Sequence, residues 1–280
     1  MRFVVALLLL IPFCGYSQTF DELIAAGDYT KAEAVIKKLD SGTWKAPKNK
    51  AVFLTNSGAL LLNKGRQDLA LEKLLEAYTI FQQTRTDRTK EAANCLSWLS
   101  LTYSSSGKYN QAEANGLIAL QLRQELLGEQ SEEVAASYND LGLVYSQIDP
   151  DKALEYYENA QVIYKKLHGA DHPKIAIGNT NIGALNTQVE MYGDAINNLE
   201  SASKIWMKIY PNGHPNLAFV YRSLGQTYVK MEKENLALEY FQKALAQYRK
   251  SFGEKNPDLA STLNQIGAVN LEQIGRASCR

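Results

Sequence analysis

The amino-acid sequence predicts an all-α solenoid, a stack of antiparallel helix pairs, and three observations lead to that prediction. Alanines recur at a nearly constant interval, apolar residues between them follow helical spacing, and the prolines of the body fall where helices are expected to begin or break. The composition is that of a globular protein, because 45% of the 280 residues are hydrophobic and 21% are charged.

The interval between the recurring alanines defines an internal repeat. Successive first alanines stand 42, 41, 42 and 42 residues apart, and each is followed seven residues later by a second alanine. The first alanines are Ala70, Ala112, Ala153, Ala195 and Ala237, and the second are Ala77, Ala119, Ala160, Ala202 and Ala244. A small residue, which we call the repeat glycine, precedes each first alanine by eleven or twelve positions, at Gly58, Ser100, Gly142, Gly183 and Gly225. Small residues at fixed positions let two helices approach closely, so each repeat is expected to be a helical hairpin.

Helical spacing is clear in the third repeat, where apolar residues recur at three- and four-residue steps. They are Leu154, Tyr157, Ala160, Ile163, Tyr164 and Leu167. Proline is compatible with the first turn of a helix and with loops, but not with a helix interior. The prolines after residue 20 all stand at predicted helix starts or loops, at Pro47, Pro150, Pro173, Pro211, Pro215 and Pro257.

These signals predict a single repeat array over residues 20–273. It begins with a half repeat at 20–40 and ends with an incomplete repeat at 257–273. The complete repeats between them are expected at about 47–84, 88–128, 131–169, 173–211 and 215–253. One residue missing from the turn at 147–152 explains the 41-residue interval.

Residues 1–17 have the pattern of a secretory signal peptide. Arg2 precedes an apolar run from Phe3 to Phe13, which is shorter than the roughly twenty residues that span a bilayer. The small residues Gly15 and Ser17 follow, so we expect cleavage near residue 17 or 18. The sequence therefore predicts export to the periplasm or the extracellular space.

The three cysteines do not predict a disulfide framework. Cys14 belongs to the signal segment, and the bulky Phe13 before it disfavours the alternative of a lipoprotein. Cys279 lies in the last seven residues, so Cys95 stands alone in the body of the chain. We expect Cys95 to be a small buried hydrophobe rather than a nucleophile.

Residues 20–273 resemble the tetratricopeptide repeat family, in the long-period type found in kinesin light chains and in many bacterial proteins. The resemblance rests on the motif L-G-x-x-Y at Leu141–Tyr145 and Leu224–Tyr228, on the paired alanines, and on the Gly-x-x-His-Pro connection at 169–173. It implies a right-handed superhelix whose inner face is lined by the first helix of each pair and binds peptides or other proteins.

Two histidines in the stretch HGADHPKIA, at 168–176, stand four residues apart, the spacing at which one helix presents two imidazoles to a metal ion. The stretch recurs as YPNGHPNLA at 210–218 and as FGEKNPDLA at 252–260, which identifies it as a connector between repeats. We expect His168 to end one helix and His172 to cap the next, with Ser131, His214 and Asn256 as the equivalent caps. The sequence therefore predicts no metal site.

The sequence carries no motif for enzymatic chemistry. It has no glycine-rich phosphate loop, no His-Glu-x-x-His, no Gly-x-Ser-x-Gly and no Cys-x-x-Cys. We therefore predict no catalytic residue and no cofactor. The 30 basic and 30 acidic residues balance, and no run of five like charges occurs, so nucleic acid is not an expected partner.

The resemblance implies that the inner face binds a partner, and mostly polar residues stand there, three positions before each repeat glycine. These candidate groove residues are Thr55, Ser97, Asn139, Thr180, Arg222 and Asn264. They suit the main chain of an extended peptide, and Arg222 can bind a carboxylate. The alternative is that these positions are only exposed and polar. One turn later the same face carries Leu62, Ser104, Ser146, Thr187, Val229 and Leu271.

The last seven residues, IGRASCR at 274–280, break the repeat, and codons that could encode them match the start of a sequencing adapter, so we expect an artefact there. A solenoid normally ends in a capping helix, so the natural protein is expected to continue.

The sequence thus predicts an exported, non-catalytic scaffold that binds a protein or peptide. The alternative is the N-terminal sensor or recruitment arm of a larger protein, a histidine kinase or caspase-like peptidase, with membrane contact only through the missing part.

Overall fold

The structure is a computed structural model that describes Leu23, residues 29–39, Trp44, residues 46–252 and residues 257–278. These residues form helices and contain no strand, which confirms the predicted all-α class. The predicted signal peptide, residues 1–17, lies outside the described residues. Within the described part of the chain, no helix is both long and apolar enough to cross a membrane.

The chain divides into two compact units, residues 1–129 and residues 130–280. The helices of the first unit are α1 (Tyr29–Leu39), α2 (Pro47–Asn63), α3 (Gln67–Gln83), α4 (Lys90–Ser105) and α5 (Tyr109–Leu127). The helices of the second unit are α6 (Glu132–Tyr145), α7 (Pro150–His168), α8 (Pro173–Gln188), α9 (Tyr192–Ile209), α10 (Pro215–Lys230), α11 (Glu234–Phe252) and α12 (Pro257–Ser278).

Consecutive helices pair into hairpins, as the repeat predicts. The first unit contains α2/α3 and α4/α5, and the second contains α6/α7, α8/α9 and α10/α11, with α12 packed on α11. The ten recurring alanines all lie in the second helix of a hairpin and are at most 3% exposed. The recurring alanines of the sequence are therefore core residues of the hairpins.

Each repeat glycine lies where the two helices of a hairpin come closest. A Cβ atom added at Gly142 would lie 2.5 Å from a ring carbon of Tyr157, and one at Gly225 would lie 2.6 Å from ring carbons of Phe241. Gly58 and Gly183 are covered in the same way by leucines of their partner helices. Ser100 replaces glycine in the second repeat, and its Oγ donates a 2.6 Å hydrogen bond to the carbonyl oxygen of Ala112.

The ends of the helices follow the predicted proline and cap chemistry. Five helices begin at proline, where the missing N–H has no partner to lose. The hairpin turns close through a residue with positive φ, at Gly65, Gly107, Glu190 and Glu232. The third hairpin, which has one residue fewer, turns instead through Asp149, whose side chain accepts from the N–H of Lys152.

The close approach at Gly225 predicts the stability of two matched variants. Gly225→Ala places a methyl group against the buried ring of Phe241, so we expect a loss of about 1–3 kcal/mol in the free energy of unfolding. Gly267 occupies the same repeat position in α12, but a Cβ atom there meets nothing within 4 Å among the described residues. Gly267→Ala should leave stability unchanged or raise it by up to about 1 kcal/mol, because alanine favours helix. Thermal unfolding followed by circular dichroism checks both, and equal melting temperatures for the two variants would contradict the assigned contact.

Candidate functional site

Two of the six candidate groove residues lie inside the first unit. Thr55 is 4% exposed and Ser97 is 5% exposed, so neither side chain reaches an open surface. The hydroxyl of Thr55 donates a 2.9 Å hydrogen bond to the carbonyl oxygen of Ala51 one turn earlier. The structure therefore places these two side chains in the interior of the first unit, and their role in binding stays a prediction.

Two further candidates make hydrogen bonds within the second unit, and a third is exposed. Asn139 Oδ1 accepts a 2.9 Å hydrogen bond from Asn181 of α8, which joins two successive first helices. The Thr180 hydroxyl donates to the carbonyl oxygen of Ala176 at 2.7 Å. Asn264 is exposed on α12.

Arg222 already binds a carboxylate of its own chain. Its Nη1 lies 2.8 Å from Oδ1 of Asp258, the second residue of α12, and its guanidinium lies 5.2 Å from the centre of the Phe219 ring. Both partners of the ion pair are partly buried, with side-chain exposures of 23% and 35%. Arg222 thus holds the next helix in place, and a role of the six residues in binding stays a prediction.

The structure brings a different set of residues together on the same helices. A cavity of about 470 Å³, which we call the groove, opens between α8, α10 and α12 of the second unit. Its lining residues are Ala184, Thr187, Gln188, Gln226, Val229, Lys230, Phe241, Gln265, Ala268, Val269 and Glu272. Thr187 and Val229 belong to the positions one turn after the repeat glycine that the sequence places on the inner face. Amide, apolar and charged groups therefore share one open surface.

The groove repeats the same positions from each first helix. The residues directly after the repeat glycine are Ala184, Gln226 and, in α12, Ala268. They lie on the same helical stripe as the candidates four residues earlier. Because residues at i and i+4 of a helix share a face, the sequence alone could have identified Ala184, Gln226 and Ala268 as lining residues.

Hydrogen bonds between successive first helices hold the groove together. The hydroxyls of Thr187 and Thr227 lie 2.8 Å apart, between α8 and α10. Gln188 Nε2 donates to the carbonyl oxygen of Ser146, at the end of α6, at 3.0 Å. The first contact joins two helices that carry lining residues, and the second joins the lining residue Gln188 to the end of α6.

The histidines lie at the connectors, as the sequence predicts. His168 is the last residue of α7, and His172 caps α8 by accepting a 3.3 Å hydrogen bond on Nδ1 from the N–H of Lys174. Their rings stack with centroids 4.1 Å apart, and His168 Nε2 lies 3.2 Å from a carboxylate oxygen of Glu132. His214 caps α10 in the same way and stacks on the Trp206 ring. Among the described residues, no group of three or more His, Cys, Asp or Glu side chains is arranged to hold a metal ion.

Cys95 is a core residue of the first unit. It is fully buried, its Sγ donates to the carbonyl oxygen of Leu74 at 3.4 Å, and burial raises the pKa of its thiol to about 12. A thiol with such a pKa carries almost no thiolate at neutral pH. The prediction of a small buried hydrophobe is confirmed.

Comparison with known proteins gives a family match. The family model described as Tetratricopeptide repeat matches residues 91–160, 149–208, 174–245 and 216–278, which together cover more than half of the chain. No curated protein sequence matches the chain.

Solved structures resemble the chain in fold. The crystal structure of BtubC (BKLC) from P. vanneervenii is 26% identical with a TM-score of 0.54, over 71% of this chain and 80% of that one. A putative kinesin light chain from P. anserina with nearly identical TPR-like repeats is 17% identical with a TM-score of 0.56, over 75% and 100%. NprR in complex with its cognate peptide NprX is 15% identical with a TM-score of 0.70, over 96% and 75%.

The histidine caps predict how stability depends on pH. Burial lowers the pKa of both His172 and His214. The neighbouring His168 and Lys174 lower the pKa of His172 further, whereas the carboxylate of Glu132 raises it. The folded state therefore favours the neutral imidazole, whose Nδ1 accepts the cap hydrogen bond. This contribution is fully present above the unfolded pKa of about 6.5 and is lost as pH falls through that value towards the lower folded pKa.

We expect the free energy of unfolding to decrease between about pH 7.5 and pH 5.5, and the double variant H172N/H214N to decrease less over that range. Asparagine is a good cap that does not titrate, and the sequence itself has Asn256 at the equivalent position. Urea denaturation at the two pH values measures the difference. Equal decreases in the two proteins would show that the caps do not titrate with folding.

Proposed function

Because the chain belongs to the tetratricopeptide repeat family, in its kinesin-light-chain-like type, we propose that it is an extracytoplasmic scaffold that binds a peptide or a segment of a partner protein in the groove. The observation that carries this proposal is the groove itself, where three successive first helices present the same repeat positions to one open cavity. The proposal includes no catalytic step.

The chemistry of the groove suits an extended main chain. The side-chain amides of Gln188 and Gln226 can each donate to a carbonyl and accept from an N–H, and the Gln265 side chain adds a third amide to the lining. Apolar groups between them, including Val229 and Val269, provide contact area for alternate side chains of the ligand. An extended ligand is therefore favoured over a folded surface.

The spacing of the helices supports the same conclusion. Packed helices lie about 8–10 Å apart, and three residues of an extended chain span about 10 Å. A peptide laid across the groove thus meets one helix for about every three of its residues. Lys230 and Glu272 give the groove both signs of charge, which favours a ligand without a strong net charge.

A fold-level analogy adds support. NprR, whose fold is similar over 96% of this chain, is described in complex with its cognate peptide. At 15% identity the likeness concerns the fold, so it supports a peptide as the class of ligand and does not identify the peptide.

We expect Ala184→Arg to abolish or strongly weaken peptide binding, because a long charged side chain fills the groove. Peptides are selected on the full chain from a random phage-displayed library, and their affinities are measured by fluorescence anisotropy. Ala184→Arg should weaken the selected peptides about tenfold or more. Ala246→Arg is the matched control, since Ala246 is exposed on α11, where the preceding repeat carries Lys204. If no peptide is selected, or if Ala184→Arg binds the peptides as well as the unchanged chain does, the groove is not the binding site.

The six candidate groove residues predicted from the sequence are tested with the same peptides, through the variant Asn264→Ala. Asn264 is exposed, and Asn264→Ala removes its amide without disturbing a core contact. A weakened affinity in this variant would extend the binding face to the candidate groove residues. An unchanged affinity would restrict it to the groove.

The extracytoplasmic location is the second part of the proposal, supported by the apolar run from Phe3 to Phe13 and the small residues after it. We expect the chain, expressed in a bacterium with its own N-terminus, to be exported and to begin near residue 18. Cell fractionation and N-terminal sequencing check this. An intact N-terminus on cytoplasmic protein would contradict export.

The alternative, a sensor or recruitment arm of a larger protein, is decided by the coding sequence past codon 273. An apolar segment of about twenty residues there favours the kinase, and a His/Cys pair favours the peptidase.

A further inference from the structure

A second cavity of the second unit has a different set of lining residues from the groove, and eight of these eleven residues have polar side chains. It has a volume of about 570 Å³ and lies between α7, α8 and α9. Its lining residues are Lys165, Ala170, Asp171, Ile175, Asn179, Asn197, Asn198, Ser201, Lys204, Ile205 and Lys208. We call it the amide cavity, because three asparagines contribute to it.

The amide cavity coincides with a departure from the repeat. In the hairpin α6/α7, Tyr138 and Tyr145 pack on Tyr156, with ring centres 6.0 and 5.1 Å away. In the hairpin α10/α11, Tyr221 and Tyr228 pack on Tyr240 in the same way, at 6.2 and 5.4 Å. The hairpin between them, α8/α9, has an asparagine at each of the three positions: Asn179, Asn186 and Asn198.

The exchange of tyrosine for asparagine has a physical consequence. Three aromatic rings that fill the space in the neighbouring hairpins are replaced by three small amides, so the volume between α8 and α9 is not filled by the hairpin itself. Two of these amides, those of Asn179 and Asn198, line the cavity.

A buried amide holds Asn179 in position. Gln161 of α7 is 6% exposed, and its Nε2 donates to the side chain of Asn179 at 2.8 Å and to the carbonyl oxygen of Ile175 at 3.2 Å. It lies beside Gly178, where an added Cβ atom would be 2.5 Å from Gln161 Nε2. Asn179 Nδ2 in turn donates to the Ser201 hydroxyl at 3.3 Å. The polar network therefore runs from the core to the cavity wall.

Gln161 also leaves one polar atom without a partner. Its Oε1 is buried and accepts no hydrogen bond from the described residues. A buried acceptor of this kind needs a donor, and Gln161 is not one of the lining residues, so it contributes to the cavity by orienting Asn179.

The charge of the amide cavity is positive. Three lysines against one aspartate leave a net charge of +2 on its lining residues. Lys208 forms an ion pair with Asp171, whereas Lys165 and Lys204 have no acidic partner in the described structure. Two unpaired ammonium groups beside amide and hydroxyl donors attract an anion whose oxygens accept several hydrogen bonds.

From this geometry we propose that the amide cavity binds a ligand through an oxyanion, either a carboxylate or a phosphate. Lys165 and Lys204 supply the charge, and Ser201 and Asn197 supply neutral donors. This site is separate from the groove and does not depend on peptide binding there.

The test uses the full chain labelled with ¹⁵N and two probes, inorganic phosphate and a blocked triglutamate peptide, titrated by NMR. We expect saturable shifts from at least one probe. Tighter binding of phosphate assigns the site to a phosphate-bearing ligand, and tighter binding of triglutamate assigns it to an acidic peptide.

Two double variants locate the binding. K165Q/K204Q should weaken the probe about tenfold or more, as expected for the loss of charge-assisted hydrogen bonds. N179Y/N198Y should abolish binding, because it restores the tyrosine pair of the neighbouring hairpins and fills the cavity. Thermal unfolding is measured for both variants. If N179Y/N198Y is unstable, the affinity of K165Q/K204Q alone tests whether the probe binds in the amide cavity.

The matched control is K166Q/K233Q, which removes the same charge from exposed lysines outside the cavity. It should change the affinity by less than about twofold. The proposal is overturned if neither probe binds at about 10 mM, or if the control weakens binding as much as K165Q/K204Q does.

Discussion

The close approach of the two helices in each hairpin is the contact on which the rest of the structure depends. At Gly58, Gly142, Gly183 and Gly225 there is no room for a Cβ atom, because a side chain of the second helix occupies the space. That side chain varies, from leucine at 74 and 199 to Tyr157 and Phe241, while the residue beneath it stays small. Within each hairpin this contact fixes the position of the first helix against the second, and with it the surface that the first helix exposes.

The connectors between hairpins combine local and tertiary contacts in one residue. Thr89 and Ser131 cap their helices with a hydroxyl, whereas His172 and His214 do so with a ring nitrogen. The imidazole adds a stacking surface, which His214 uses on Trp206 and His172 uses on His168. A histidine at this position thus joins the end of one helix to the start of the next, and this capping and stacking explains why the rings of His168 and His172 lie close together.

Much of this architecture could be predicted from the sequence, because it depends on spacing and on local backbone chemistry. The recurring alanines, the prolines at helix starts and the capping residues each act within one hairpin or one connector. The polar residues of the first helices could not be assigned in the same way. Asn139 bonds to Asn181, 42 residues later, and Arg222 pairs with Asp258, 36 residues later, so their roles depend on the identity of a residue in the next repeat. Thr55 and Ser97 show the same limit, since their burial depends on how the surrounding helices cover them.

Departures from the repeat carry more information about specificity than the repeat itself. Positions that recur are constrained by packing: the paired alanines are the same in every hairpin, and the repeat glycine is replaced only by the small Ser100. The helix α8 keeps Gly183 and Ala184 in register with its neighbours and so contributes to the groove, yet at Asn179 and Asn186 it departs from the tyrosines of α6 and α10. Replacing a packed aromatic group with a small amide sacrifices apolar contact within the hairpin. Such a change is tolerated in a solenoid because each hairpin contacts only its neighbours, so one repeat can acquire a polar site while the others maintain the fold.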